Sequence, residues 1–243
     1  MTFSVATALD DHVRGKFDER SPDGLWHPSS ISGCLRQSTY ADRGTAVTNP
    51  REVRSMRILR VGHLLHGFVQ DAVLGQIGQT LRQYLPEIAV AHARLGIVGH
   101  TDGLAEMDNG TWEVHEYKTI NSMAFKYNDL PKPDHELQAC VYIKCIREYG
   151  LPELSVPPLG EALSRARLIY VSKDDLRIEE CTVFYTEAKD QEIERRIGVL
   201  QSHREAGSLP ARLPMTVKKG EEVRAWQCNY CPYQSRCWDE DDD

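Results

Sequence analysis

Two carboxylates and an amine lie close together along one short stretch of this chain. Asp102 sits in Gly-His-Thr-Asp-Gly, and fourteen residues later comes Glu116-Tyr117-Lys118. Brought to one point, such a set has the chemistry to cut a phosphodiester. Hard carboxylate oxygens suit Mg²⁺ or Mn²⁺. A lysine beside the metal can hold a phosphate or an attacking water, and acts as a base if its pKa is depressed. The plainer reading is a salt-bridged surface hairpin, which a chain with 27% charged residues produces often.

The elements that must position these groups are legible around them. Apolar and polar residues alternate on both sides of Asp108-Asn109-Gly110, as in a β-hairpin. A two-residue Asn109-Gly110 turn places Asp102 opposite Tyr117. A three-residue loop with Gly110 left-handed in a bulge pairs Asp102 with Glu116, and this is the expected register. Lys118 then shares a face with Glu116. A strand over 88–95 precedes the hairpin. A helix over 35–40 ends near Gly44. A longer one over 52–76 carries Ile58, Val61, Leu65, Phe68, Val69, Ala72 and Val73 at helical spacing. A third, over 135–149, carries Leu137, Val141 and Ile146. A proline-bearing loop over 151–163 leads to a second hairpin (166–172 and 177–185), then to a charged helix over 187–206. Residues 1–28 give weak signals, and the part from 207 to Cys237 reads as aromatic-rich loop. Together these predict an α/β architecture, a mixed central sheet flanked by helices.

Other constellations fall on these elements. Gly62-x3-His66 lies in the long helix, where a histidine can reach a metal or simply be half buried. Gln138 and Tyr142 share one helix face and can meet the same nucleotide or phosphate; a packed tyrosine is the commoner outcome. Cys228-x2-Cys231-x5-Cys237 gathers three thiols within ten residues, and Cys34 can supply a fourth from the other end of the chain. Four thiolates suit Zn²⁺ or an iron–sulfur cluster. Cys140, Cys145 and Cys181 read as core residues. Arg51, Arg54, Arg57 and Arg60 recur every third residue, tracking either a phosphate backbone or solvent.

Composition bounds the rest. The net charge of −7 over 243 residues is mostly the end segment 239–243, which supplies −5; the remainder has 31 acids against 29 bases. Overall charge therefore gives no argument for nucleic acid, and any such footprint is a local patch. No signal peptide or membrane span is visible, which predicts a cytoplasmic protein with reduced thiols. No phosphate-binding loop ending in Lys-Ser/Thr and no Gly-x-Ser-x-Gly elbow is present.

Taken in order, Cys34, Gly62-x3-His66, Asp102-Gly103, Glu116-x-Lys118, Gln138-x3-Tyr142 and Cys228-x2-Cys231-x5-Cys237 resemble the RecB-like branch of the PD-(D/E)XK nucleases. Within that branch the series is most similar to the Cas-four family of CRISPR-associated iron–sulfur exonucleases. The resemblance covers residues 29–238, with 1–28 as an N-terminal segment and 239–243 as an acidic tail. It implies a restriction-endonuclease-like core closed by a cysteine-ligated [4Fe–4S] cluster on Cys34, Cys228, Cys231 and Cys237. It implies that His66, Asp102, Glu116 and the Tyr117 carbonyl hold catalytic Mg²⁺ or Mn²⁺, that Lys118 serves the attacking water, and that Gln138 and Tyr142 position DNA. The implied activity is a metal-dependent exonuclease on single-stranded DNA or DNA ends, in recombination, repair, phage replication or CRISPR spacer acquisition. Implied partners are DNA and proteins of recombination or CRISPR adaptation, with no membrane; oligomers are compatible with it. The chain departs from the family pattern where Gly67, in place of an acid, follows His66. Two other classes share these residues: a non-catalytic DNA-end-binding module and a zinc-stabilised adaptor.

Overall fold

The computed structural model describes residues 4–16, 22–127, 129–218 and 220–239. Four helices come first: α1 (Val5–Lys16), α2 (Pro28–Ser32), α3 (Leu35–Asp42) and the long α4 (Val53–Leu74). Strands β1 (Leu81–His92), β2 (Ile97–Met107) and β3 (Trp112–Ile120) follow, then helices α5 (Ser122–Tyr127) and α6 (Pro133–Tyr149). Strands β4 (Leu163–Ser172) and β5 (Ile178–Phe184) complete a sheet, and α7 (Glu187–Glu205) leaves it. The chain closes with β6 (Thr216–Lys218), β7 (Glu221–Val223) and α8 (Gln234–Asp239).

The chain divides into two compact units. One comprises 25–32 and 61–195; the other comprises 1–24, 33–60 and 196–243. The division thus falls inside the 29–238 span expected to be one domain. The first unit is built on the five-stranded sheet, order β1-β2-β3-β4-β5. All neighbours are antiparallel except β3 and β4, which are parallel. A parallel pair needs a crossover, and α5 and α6 supply it. Residues 168–172 of β4 are buried without alternation, as expected of a strand covered on both faces. Leu65 and Val69 of α4 pack on Tyr117, Ile169 and Val171. Residues 137–146 of α6 are all buried, so this helix is enclosed on every side rather than amphipathic.

In the other unit, α3 and α8 lie with the small β6–β7 hairpin. Thr48 and Asn49 donate their backbone N–H groups to the Pro232 carbonyl, and Asn49 Oδ1 accepts from Ser235 N at 2.8 Å. These bonds tie the segment before α4 to the cysteine-bearing end.

Several expectations are corrected. Helix α1 occupies a stretch read as weakly structured; Val13 is its one buried residue among those described, so no apolar stripe announces it. Strand β1 starts at Leu81 rather than 88. Pro86 is tolerated within it because β1 is an edge strand, where a missing N–H costs little. The end of the chain holds β6, β7 and α8 rather than loop alone. On α4, Ile58, Val61 and Phe68 are exposed, while Leu65, Val69 and Val73 face the sheet. Of the acidic tail, only Asp239 is among the described residues.

Candidate functional site

The β2–β3 hairpin sets the site. Gly103 pairs with His115, Leu104 with Val114 and Ala105 with Glu113. Met107 and Thr111 close the loop, leaving Asp108-Asn109-Gly110 as the three-residue connection, with Gly110 at φ +80°. One step further, this register brings Asp102 opposite Glu116. There the strands part: β2 continues along β1 to Ile97, and β3 along β4 to Ile120. Asp102 bridges the opening, its Oδ2 accepting the Tyr117 backbone N–H at 2.7 Å.

Glu116 is buried and held by its neighbours. Its Oε1 accepts from Lys118 Nζ at 2.7 Å and from Gln138 Nε2 at 2.8 Å. Gln138 Oε1 in turn accepts from Lys118 Nζ at 2.8 Å, so the three side chains close a triangle. Gln138 Nε2 also donates to the Tyr142 hydroxyl at 3.2 Å. Gln138 and Tyr142 are 9% and 5% exposed, so their polar groups turn inward on Glu116 and Lys118. Burial pushes the Glu116 carboxyl up, Lys118 pulls it back and the charge of Asp102 pushes it again, for a balance of about 7.

Helix α4 brings His66 to Asp102, with Nδ1 3.5 Å from Oδ1. Its ring stands edge-on to Tyr117 at 5.8 Å. Gly62 permits this approach: a Cβ there would lie 2.8 Å from Thr119 Oγ1. Sequence reasoning missed two supports. Gln70, one turn beyond His66, donates to the Asp102 carbonyl at 3.1 Å. The Tyr84 hydroxyl approaches the same carbonyl at 3.4 Å and also bonds the Tyr117 hydroxyl. Gly103 leaves room for it, since a Cβ would lie 2.1 Å from Tyr84 Oη. The i, i+4 spacing of His66 and Gln70 was the available signal for the first. Nothing local marked Tyr84, which reaches the site from the neighbouring strand.

Among the described residues, no group of three or more His, Cys, Asp or Glu side chains has the geometry of a metal site. The donor chemistry around Glu116 nevertheless fits a hard divalent ion. Glu116 Oε2 is buried with no hydrogen-bond partner among the described residues, an exception that calls for an explanation. Asp102 Oδ1 and the His66 imidazole lie beside each other, and the charge of Asp102 is felt at Glu116.

The four cysteines expected together do meet. Cys34 precedes α3, Cys228 lies in a 3-10 turn, Cys231 follows it, and Cys237 is in α8. All are reduced and line one cavity with Gln37, Tyr40, Leu213, Gln234 and Trp238. Burial, and then the neighbouring thiols against the pull of Tyr233's backbone, take Cys231 up to about 11. Four thiols on one cavity are a donor set that suits Zn²⁺ or an iron–sulfur cluster. Cys140 and Cys145 are core residues as expected, whereas Cys181 is only partly buried on β5. Arg54, Arg57 and Arg60 face solvent on α4, and Arg57 meets Asp10 at 3.5 Å. No helix among the described residues is long and apolar enough to cross a membrane.

Residues 31–238 match the PD-(D/E)XK nuclease superfamily. No curated protein matches the sequence. Among 28 matching chains of known structure is SSO0001, 16% identical, with a TM-score of 0.59 and 97% of each chain covered. Another is the alkaline exonuclease LHK-Exo from Laribacter hongkongensis: 16% identity, TM-score 0.51, covering 76% of this chain and 90% of that one. The same exonuclease in complex with dAMP gives 17%, 0.51, 76% and 89%. At such identities the likeness is one of fold.

Proposed function

This chain belongs to the PD-(D/E)XK nuclease superfamily, and on that footing we propose that it is a metal-dependent DNA exonuclease acting on single strands or DNA ends. Its place is in recombination, repair, phage replication or CRISPR spacer acquisition, as in the Cas-four family. The observation that carries this reading is the state of Glu116. One oxygen is fully engaged by Lys118 and Gln138, while the other is buried without a partner among the described residues.

His66, Asp102 and Glu116, with the Tyr117 carbonyl, are the proposed holders of Mg²⁺ or Mn²⁺. Such an ion supplies Lewis-acid stabilisation of charge on the phosphate. Lys118 keeps its ammonium at Glu116 through two hydrogen bonds and has a third N–H to offer a phosphate oxygen or a water. Gln138 fixes the direction of both groups, and Tyr142 fixes Gln138. Their proposed service to DNA is therefore to position the groups that meet it.

Cys34, Cys228, Cys231 and Cys237 are the proposed ligands of a [4Fe–4S] cluster, on the strength of the cavity they share. Its role is structural: binding energy at a site built from distant segments is folding energy.

Mn²⁺ titration by calorimetry tests the metal site. Asp102→Asn and Glu116→Gln are expected to weaken binding at least tenfold, each removing a charged oxygen ligand. Wild-type affinity in both variants contradicts the reading.

A further inference from the structure

A further imidazole is tied into the face of the sheet that carries Lys118. His135 lies in the first turn of α6, so His135, Gln138 and Tyr142 at i, i+3 and i+7 share one stripe. Tyr170 stands beside Lys118 as its partner in the parallel β3–β4 register. The Tyr170 and His135 rings stack at 5.7 Å and 29°.

The hydrogen-bond partners assign the tautomer of His135. The Lys132 backbone N–H donates to the Tyr170 hydroxyl at 3.1 Å. Tyr170 has one proton to give, and its other neighbour is His135 Nδ1 at 3.0 Å. Nδ1 is then the acceptor, and the proton of the neutral ring sits on Nε2. Burial, reinforced by the positive charge of Lys118, brings His135 down to about 4, so the ring is neutral near pH 7. Burial also holds the Tyr170 hydroxyl in its protonated form. His135 is only half-buried, and among the described residues its Nε2 has no hydrogen-bond partner.

Resting on the nuclease reading of this site, we propose that His135 contacts the substrate, its Nε2–H donating to a non-bridging oxygen of the phosphodiester held at Glu116 and Lys118. A neutral donor suits the position. It adds a directed hydrogen bond without placing a second positive charge beside Lys118, and the Tyr170 bond prevents the ring from turning its acceptor nitrogen toward the phosphate. The ligand class is a phosphodiester anion.

Two measurements on the full-length protein test this. Imidazole nitrogen NMR on isotope-labelled protein, with His135→Gln giving the assignment, should show the Nε2–H tautomer near pH 7. Its Nε2 signal should shift when a short 5′-phosphorylated oligothymidylate is added in EDTA. The Nδ1–H tautomer, or an unmoved signal at saturating oligonucleotide, overturns the proposal whether or not the protein cuts DNA. In Mn²⁺-dependent cleavage, His135→Phe is expected to lose about ten- to a hundredfold in kcat/KM, the size of one hydrogen bond to a charged group. His135→Gln, whose amide nitrogen can take the place of Nε2, should recover most of it. Equal rates for His135→Phe and wild type, or equal damage in both variants, overturn the proposal. Loss of activity in Lys118→Ala beside wild-type rates in His135→Phe leaves the nuclease reading standing and removes only this inference.

Discussion

At the scale of single residues, the site is a set of charges made tolerable by fixed partners. Asp102 and Glu116 were legible because carboxylates spaced around a turn signal can meet in only a few registers. Lys118 followed from the two-residue period of a strand. Gln70 and Tyr84 were not, because a carbonyl clamp built from another helix and another strand leaves no local pattern. Gly103→Ala is expected to cost about 2 kcal/mol or more in urea melts, since overpacking against a buried group forces a shift; the Tyr84 hydroxyl would be that group. An unchanged midpoint would show that Tyr84 can move aside freely. Glu113 gives a pH prediction. Burial alone would raise its carboxyl, but His115 and Arg167 outweigh burial and lower it from 4.5 to about 2. A depressed folded value means that this stabilisation is complete above about 4.5 and disappears as pH falls toward about 2. Thermal melts across that window should show Glu113→Gln less acid-sensitive than wild type; parallel curves would contradict the assignment.

Among the elements, α6 departs furthest from sequence expectation. Leu137, Val141 and Ile146 suggested one buried stripe, yet the helix is enclosed all round. A lysine in its sequence, Lys144, hid this. The Lys144 side chain is 2% exposed, with Nζ at 2.7 Å from Glu148, 2.7 Å from Asp190 and 3.1 Å from Glu194. A lysine is normally read as surface; Glu148 is its i+4 neighbour on the same helix, and only tertiary structure adds Asp190 and Glu194. Lys144→Met should lower stability by about 2 kcal/mol or more, because carboxylates gathered for a cation are left facing one another. The partial exposure of those acids keeps the figure below that of a fully buried network. Chemical denaturation checks it, and a neutral effect would mean that the acids simply turn to solvent. Helix α4 shows the converse limit. Its apolar residues all follow helical spacing, but Leu65, Val69 and Val73 pack on the sheet while Ile58, Val61 and Phe68 do not. Periodicity finds a helix; it does not say which of two adjacent apolar faces is covered.

For the whole molecule, the mixed sheet was legible from the order of its hairpins and helices, whereas the division into two units was not. Each unit is assembled from segments far apart in sequence, and no composition shift marks their joins. The cysteines belong together in one of these units, as their spacing suggested. Anaerobically purified protein is expected to contain iron and sulfide with charge-transfer absorbance in the visible range. Cys231→Ala should lose iron and melt at lower temperature; stoichiometric zinc without iron would assign the cavity differently. The central claim, that Asp102, Glu116 and Lys118 make a phosphodiester-cutting site, is tested most directly by degradation of end-labelled single-stranded DNA in Mn²⁺, with Lys118→Ala beside wild type. The wild type is expected to lose label progressively and the variant at least a hundredfold more slowly, and equal rates in the two proteins would contradict a catalytic role for Lys118.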